Sequence, residues 1–204
     1  MDRIRRLAER ASTDRAKLDA LFDDQLVGTL AGVHEDAPWV VPMMVARDGD
    51  RVVMHGSTGA GLLRHAASGA PVALCVTALD ALVVAHSGFD SSMNYRSAVI
   101  RGRCTELRGA DKQHGLDVIT DRLAPGRTAE VRPHTGREVA ATLVLALPLT
   151  DWLYKERTGT ASEPDEETDA WSGLVPLQQG WGEPERAPFS DAALPPSVRG
   201  LIGR

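Results

Sequence analysis

A glycine-rich segment at residues 55–61 is the first place in the sequence that could bind a charged ligand. Its sequence, His-Gly-Ser-Thr-Gly-Ala-Gly, follows a strand-like stretch and precedes a helix-like one. Such a turn can offer free backbone N–H groups to a phosphate, and Ser57 and Thr58 add hydroxyl donors. The spacing matches neither the Walker A motif nor the dinucleotide-binding Gly-x-Gly-x-x-Gly motif. From spacing alone, an ordinary strand–helix turn with glycines for tight geometry is the favoured interpretation.

A second candidate is the strand-like segment 94–103, Asn-Tyr-Arg-Ser-Ala-Val-Ile-Arg-Gly-Arg. Side chains alternate along a strand, so Arg96 faces the opposite side from Tyr95 and Ser97. One face could line a pocket while the other packs or meets solvent. Without further information, an exposed arginine on a barrel strand is the favoured interpretation.

The third candidate is the segment 155–159, Lys-Glu-Arg-Thr-Gly. If it is extended, Lys155 and Arg157 share one face, and two neighbouring cations suit a phosphate. A solvated, charged strand end is again the simpler interpretation.

Familiar hydrolytic and metal-binding patterns are missing from the sequence. The six histidines have no zinc-site spacing, and Cys75 and Cys104 are not part of a Cys-x-x-Cys motif. No Gly-x-Ser-x-Gly elbow or Ser-His-Asp order occurs. We therefore predict no metal site and no hydrolytic machinery.

The elements that would position these segments are mostly strands. Alternating hydrophobicity and turn residues predict strands at 27–33, 39–46, 51–55, 72–77, 82–85, 95–107 and 142–147. Amphipathic patterns predict helices at 13–24 and 109–123, with shorter ones after 61 and 135. Hairpin-like order without strict β/α alternation favours a mainly β, α+β fold, a small antiparallel barrel, over a doubly wound sheet.

Bulk composition is that of an ordinary globular protein. The 204 residues are 43% hydrophobic and 25% charged, with a net charge of −5, which argues against a nucleic-acid partner. Composition shifts late in the chain, and we expect one domain at 1–178 followed by a tail or arm at 179–204. Two isolated cysteines and the lack of a long apolar run predict a reduced, cytoplasmic protein without a membrane span.

Taken in order, the segments resemble the pyridoxamine 5′-phosphate oxidase-like superfamily of FMN-binding split barrels. The resemblance begins with Trp-Val-Val-Pro-Met-Met at 39–44, Asp-Gly-Asp at 48–50 and Met-His-Gly-Ser-Thr-Gly at 54–59. It continues with Ser-Met-Asn-Tyr-Arg-Ser at 92–97, which is similar to the flavin-nucleotide-binding branch that includes nitroimidazole-resistance proteins. The segments 155–159 and 171–177 look like the closing motifs of that branch.

This resemblance implies a six-stranded antiparallel split β-barrel with flanking helices, FMN as cofactor, and a homodimer with the cofactor cleft at its interface. His55 would lie nearest the flavin ring or an incoming ligand and is the candidate catalytic residue; a structural histidine, hydrogen-bonded at the strand end, is the alternative interpretation. The residues implied in cofactor binding are Pro42, Met43, Met44, His55, Gly56, Ser57, Thr58, Gly61, Leu62, Leu63, Tyr95, Arg96, Ser97, Lys155, Arg157 and Trp171.

One position departs from the pattern of the family. Its members usually carry an arginine or lysine at the start of the helix after the glycine-rich loop, where this chain has Ala-Gly-Leu-Leu at 60–63. We expect either that Arg64, Lys155 or Arg157 supplies the phosphate's counter-charge, or that FMN binds weakly.

Two functions follow from the resemblance. The first is a flavin-dependent oxidoreductase that acts on an unidentified small molecule and differs from the true pyridoxamine phosphate oxidases, because their C-terminal Arg and His pair is not apparent here. The alternative is a non-catalytic module that binds or senses a flavin, a deazaflavin or haem. A barrel that has lost its cofactor is a third interpretation.

Overall fold

The structure, a computed structural model, describes residues 7–203. The strands of this part of the chain are β1 (Ala11–Ser12), β2 (Val27–His34), β3 (Ala37–Met44), β4 (Ala46–Asp48), β5 (Arg51–Ser57), β6 (Pro71–Val84), β7 (Ser92–Arg103), β8 (Thr105–Glu106), β9 (Thr142–Pro148), β10 (Trp152–Arg157) and β11 (Gly173–Pro176). The α-helices are α1 (Arg15–Asp24), α2 (Gly61–Ala67), α3 (Gly109–Leu123), α4 (Gly136–Ala141) and α5 (Pro196–Arg199).

These strands form two antiparallel sheets. The first has the order β1-β10-β7-β6-β2-β3, and β11 pairs with the end of β6; the second has the order β4-β5-β9-β8. Only Val45 separates β3 from β4, so the chain passes directly from one sheet to the other. The sheets do not close on each other, and the predicted mainly β split barrel with flanking helices is confirmed.

The core lies between the two sheets. Helix α1 buries Leu18, Leu21 and Phe22 in the same cluster as Met54 and Tyr154. A second cluster forms where α3 packs on the other side of the four-stranded sheet and buries Leu116 and Ile119 against Val53. Each face of that second sheet therefore has a packing partner.

Helix ends follow local signals in the sequence. The helix predicted at 13–24 begins in the structure at Arg15, where the carboxylate of Asp14 accepts the amide of Ala16. The short helix predicted after residue 135 is present as α4, and it begins with a capping box in which Thr135 and Glu138 satisfy each other's backbone amides.

The last part of the described chain returns to the barrel. The amide of Ser197, in α5, donates to Glu130 at 2.9 Å, and Trp181 forms a parallel bridge with Ile202. Cys75 and Cys104 are free thiols, and burial raises the pKa of Cys104 to about 11. Within residues 7–203, no helix combines the length and apolar character needed to cross a bilayer.

Candidate functional site

The first group of predicted site residues meets where β3 passes into β4 beside β5. The β4–β5 ladder pairs Ala46 with Val53, and β3, which ends two residues before Ala46, contacts β5 directly. Met44 also packs against the cluster that contains Val53 and Val144. The β3 segment Pro42–Met44 and the end of β5 are therefore neighbours, as the resemblance implied.

His55 lies in this group with an unsatisfied polar atom. Its Nδ1 is inaccessible to solvent and has no hydrogen-bond partner within residues 7–203. Burial lowers the pKa of the imidazole, so the ring is neutral at pH 7. Buried polar atoms usually have a partner, so the orphaned Nδ1 of His55 is consistent with a ligand that is absent from the structure.

The turn from β5 into α2 uses most of its own backbone donors. The amide of Thr58 donates to the Ala141 carbonyl at 3.2 Å, and that of Ala60 donates to the Ser57 carbonyl at 2.9 Å. The Gly59 amide donates to Ser57 Oγ at 3.2 Å. The donors left for an anion are those of the first turn of α2, which have no acceptor within the helix.

Packing accounts for the glycines that flank this turn. A Cβ on Gly56 would lie 2.7 Å from Leu63 Cδ2, and one on Gly61 would lie 2.8 Å from two ring carbons of Trp39. The side chains of Leu62 and Leu63 belong to the core. These four predicted residues can reach a cofactor through their backbone, whereas Arg64, on the same helix, is exposed and carries a charge.

The second group lies on the outer face of β7 and β10. The ladder pairs Tyr95 with Arg157 and Ser97 with Lys155. Alternate residues of both strands are buried in the core, so this set points outward. Arg157 Nη1 donates to Asn94 Oδ1 at 2.6 Å, which holds the guanidinium at the end of the strand.

Arg96 lies in the same strand, β7, but its side chain forms ion pairs within the fold. Its guanidinium donates to Asp80 at 2.8 Å and to Asp24 at 2.5 Å. These hydrogen bonds, led by that of Asp80, hold the pKa of Arg96 above its ordinary value. A role for Arg96 in cofactor binding stays a prediction, with its charge already engaged by two carboxylates.

The two groups lie toward opposite sides of the first sheet, one at the edge strand β3 and the other on β7 and β10. Four strand spacings separate β3 from β10, which is about 19 Å at the usual spacing between strands. Trp171 lies at a third place, beside Gly173 at the start of β11, with its side chain exposed. One chain therefore does not bring the whole predicted set together.

Two cavities involve residues that sequence reasoning did not select. A groove of about 750 Å³ lies across β2, β3, β6 and β7 and is lined mainly by apolar residues, with Arg101 and Arg103 among the others. A cavity of about 740 Å³ lies between the end of α1, the middle of β6 and residues 177–181. Both are built from segments distant in sequence, so no local pattern marks them.

Comparison with known proteins places the chain in a family. Residues 14–155 match the model of the pyridoxamine 5′-phosphate oxidase family, and the chain belongs to this family. The resemblance predicted from the motifs is confirmed. A search of curated proteins gives no match.

Two solved structures resemble almost the entire chain. The FAD and heme binding protein from Mycobacterium smegmatis is 44% identical, with a TM-score of 0.92 over 95% of this chain and 98% of that chain. The flavocytochrome Anf3 from Azotobacter vinelandii is 28% identical, with a TM-score of 0.90 over 98% of this chain and 96% of that chain.

A proposed 5-nitroimidazole antibiotic resistance protein from Bacteroides thetaiotaomicron is more distant. It is 19% identical, with a TM-score of 0.60 over 75% of this chain and 90% of that chain. At this identity the likeness shows a shared fold alone.

Proposed function

We propose that this protein binds a flavin nucleotide at the junction of β3, β5 and α2. One observation carries the proposal: His55, with its orphaned Nδ1, lies beside the Pro42–Met44 segment in a chain whose fold matches a 44%-identical FAD and heme binding protein along nearly its whole length. The flavin ring would lie along Pro42–Met44. The first-turn amides of α2, with Arg64, would face the phosphate.

The flavin can be either FMN or FAD. The sequence resemblance predicts FMN, whereas the Mycobacterium relative binds FAD by its name. We favour FAD on the strength of that relative. Fluorescence titration of flavin-free protein with FMN and FAD separates the two, and a protein that takes up neither at micromolar concentration contradicts the proposal.

We further propose a homodimer with the flavin cleft at its interface. Exposed apolar side chains run along the outer face and edge of the first sheet, with Val27, Val33 and Val40 each more than half exposed. Surfaces of this kind are usually covered by a partner. A second copy on this face could bring the outward side chains of β7 and β10, including Lys155 and Arg157, to the cleft that one chain leaves incomplete.

The proposed activity is that of an oxidoreductase. A bound flavin would supply hydride or electron transfer, while the protein supplies orientation and polarity. His55, neutral and buried, would hold a hydrogen bond to the ring or to a substrate. Stopped-flow absorbance under NADH or NADPH tests this activity: bleaching of the flavin band supports it, and an oxidised flavin that no donor reduces favours the binding-module alternative.

Haem is a second candidate ligand, and the groove of about 750 Å³ favours it. Apolar Ala31, Val33 and Val40 line the groove together with Arg101 and Arg103. A flat apolar macrocycle with two carboxylates matches such a surface. None of its lining residues, all within the described chain, is a histidine, so an iron ligand would come from elsewhere, such as a second copy. Titration of the protein with haem tests this binding, and failure to form a Soret band would rule haem out as a ligand.

A further inference from the structure

The cavity of about 740 Å³ lies where strand β6 changes its pairing partner from β2 to β11. One edge of β6 pairs with β2 through Val72–Cys75 and with β11 through Ala81–Val84. A register shift between Leu79 and Ala81 marks a bulge at Asp80, between these two stretches. The end of α1 lies on one side of this opening and residues 177–181 on the other.

Apolar and aromatic side chains form part of the wall. Trp181 and Leu123 each leave half of their surface exposed, and Leu79 and Leu177 lie beside them. An indole with an open face stacks on a planar base, and every nucleobase has such a face. This wall suits a flat aromatic ligand.

Two glutamines line the same cavity. Gln25 and Gln179 make no side-chain hydrogen bond within residues 7–203. A glutamine amide can both donate to and accept from the edge of adenine, at its N6 amino group and N7. Free amides next to a stacking surface therefore suit adenine in particular.

Three carboxylates complete the wall, and one of them, Asp23, is paired with Arg47. Arg96 holds Asp24 and Asp80 in place, yet the side chain of Asp24 remains 52% exposed and that of Asp80 34% exposed. Each carboxylate oxygen has more than one lone pair, so both groups can still accept hydroxyl hydrogens. Acidic side chains bind ribose hydroxyls in this way in dinucleotide sites.

We propose that this cavity binds the adenosine moiety of a nucleotide. The cavity adjoins the proposed flavin site on the β3 side, because its wall residue Val27 pairs with Met44 in the sheet. The adenosine can belong to FAD itself or to a separate nicotinamide dinucleotide. The first source rests on the proposed flavin function, and the second does not.

The test is calorimetric titration of flavin-free protein with ADP-ribose, which carries adenosine without a redox group. We expect saturable binding, and an ADP-ribose that gives no heat up to millimolar concentration overturns the proposal. Trp181→Ala should weaken binding about tenfold, the size of one lost base-stacking contact. Gln179→Leu should weaken it to a similar extent.

Matched controls separate recognition from damage to the C-terminal segment. Gln178→Leu changes the neighbouring residue, which does not line the cavity, and Phe189→Ala removes an exposed aromatic ring further along. Both should bind ADP-ribose as the unaltered protein does. Trp181→Phe keeps a stacking ring and should retain most of the affinity, so the proposal stays testable if Trp181→Ala does not fold. Equal loss in the controls and the cavity variants overturns the proposal.

Repeating the ADP-ribose titration with FAD-loaded protein shows whether the bound adenosine belongs to FAD or to a separate nucleotide. If FAD blocks ADP-ribose, and Trp181→Ala lowers the affinity for FAD but not for FMN, the adenosine is that of the flavin. If ADP-ribose still binds, it belongs to a separate nucleotide. A protein that binds ADP-ribose but neither FMN nor FAD would refute the flavin function while leaving the adenosine site standing.

Discussion

His55 links the sequence pattern to the proposed chemistry at the scale of single residues. Its ring is half-buried, its Nδ1 has no partner in the described chain, and burial keeps it neutral. Buried polar atoms without a partner are uncommon in folded proteins, and His55 Nδ1 is one of a few among the described residues. Its position next to the Pro42–Met44 segment is what makes it the candidate ligand-binding atom.

Replacing His55 with Gln should lower flavin affinity about tenfold, because a hydrogen bond to the bound ring is lost or misplaced. The melting temperature should change little, since Nδ1 makes no bond that folding depends on. Fluorescence titration and thermal melting measure the two effects. His134→Gln, at a half-buried histidine in the loop before α4, is the control. Unchanged flavin affinity in His55→Gln would remove His55 from the site.

Asp48 gives a prediction about pH. Burial opposes its charge, but hydrogen bonds from His114 and Arg51 outweigh this and hold the pKa of Asp48 below its ordinary value. A depressed carboxyl pKa stabilises the fold above about pH 4, and this contribution is lost as pH falls through the folded-state pKa. Asp48→Asn should therefore lower the melting temperature by about 2–5 °C at pH 7, with a smaller difference at pH 3. A difference that grows on acidification would contradict this.

At the scale of elements, the β5–α2 turn positions the proposed phosphate site by close packing. Its own amides are largely satisfied internally, and Trp39 lies against Gly61 at the first residue of α2. The spacing of the segment 55–61 favoured an ordinary tight turn, and the close packing around Gly56 and Gly61 agrees with that interpretation. What remains for a ligand is the first turn of a short helix and the exposed Arg64.

Gly61→Ala should destabilise the protein by about 1–3 kcal/mol, because the new methyl group would lie 2.8 Å from the Trp39 ring. Gly59→Ala, two residues earlier, is the matched control: its Cβ would meet only Ser57 Oγ, at 3.7 Å. Chemical denaturation of both variants measures the difference. Equal stability of the two variants would show that the Trp39 contact does not constrain the turn.

Elements defined by local signals could be predicted from the sequence, and those defined by pairing could not. Helix α3 spans the predicted residues 109–123, and the Thr135–Glu138 capping box is present. The strands predicted separately at 72–77 and 82–85 are instead one continuous strand, β6, with a bulge at Asp80 where a turn would have joined them. A bulge and a turn use similar residues, and only the partner strand distinguishes them. Strand β11 was not predicted, because its pairing with β6 spans about 90 residues of sequence.

The contacts of the candidate site also fall into those that the sequence predicts and those that it does not. The proximity of Pro42–Met44 to His55 agrees with the motif order, since all belong to neighbouring strands. The ion pairs of Arg96 with Asp24 and Asp80 join segments that are distant in sequence, so no local sequence pattern predicts them.

At the scale of the whole molecule, the incomplete cleft and the uncovered sheet face point to the same arrangement. The groups on β3–β5 and on β7–β10 lie four strands apart in one chain, while exposed valines run along the face between them. A second copy would cover the apolar surface and could bring the two groups together. The proposed dimer would explain why neither of the two cavities described within residues 7–203 gathers all the predicted residues.

Val40→Glu should dissociate the proposed dimer, because it places a charge on an apolar side chain that is 60% exposed on the edge strand. Light scattering should give the mass of two chains for the unaltered protein and of one for the variant. Flavin affinity should fall with dissociation. Val131→Glu, on a loop before α4, should leave both unchanged. A monomeric unaltered protein that still binds flavin would refute the shared cleft.

The central claim is that a flavin occupies the junction of β3, β5 and α2. A crystal structure of the protein soaked with FAD tests it most directly. We expect electron density for the ring beside Pro42–Met44, within hydrogen-bonding distance of His55, and for a phosphate at the first turn of α2. Density for the flavin elsewhere on the barrel, or none at full soaking concentration, would contradict it.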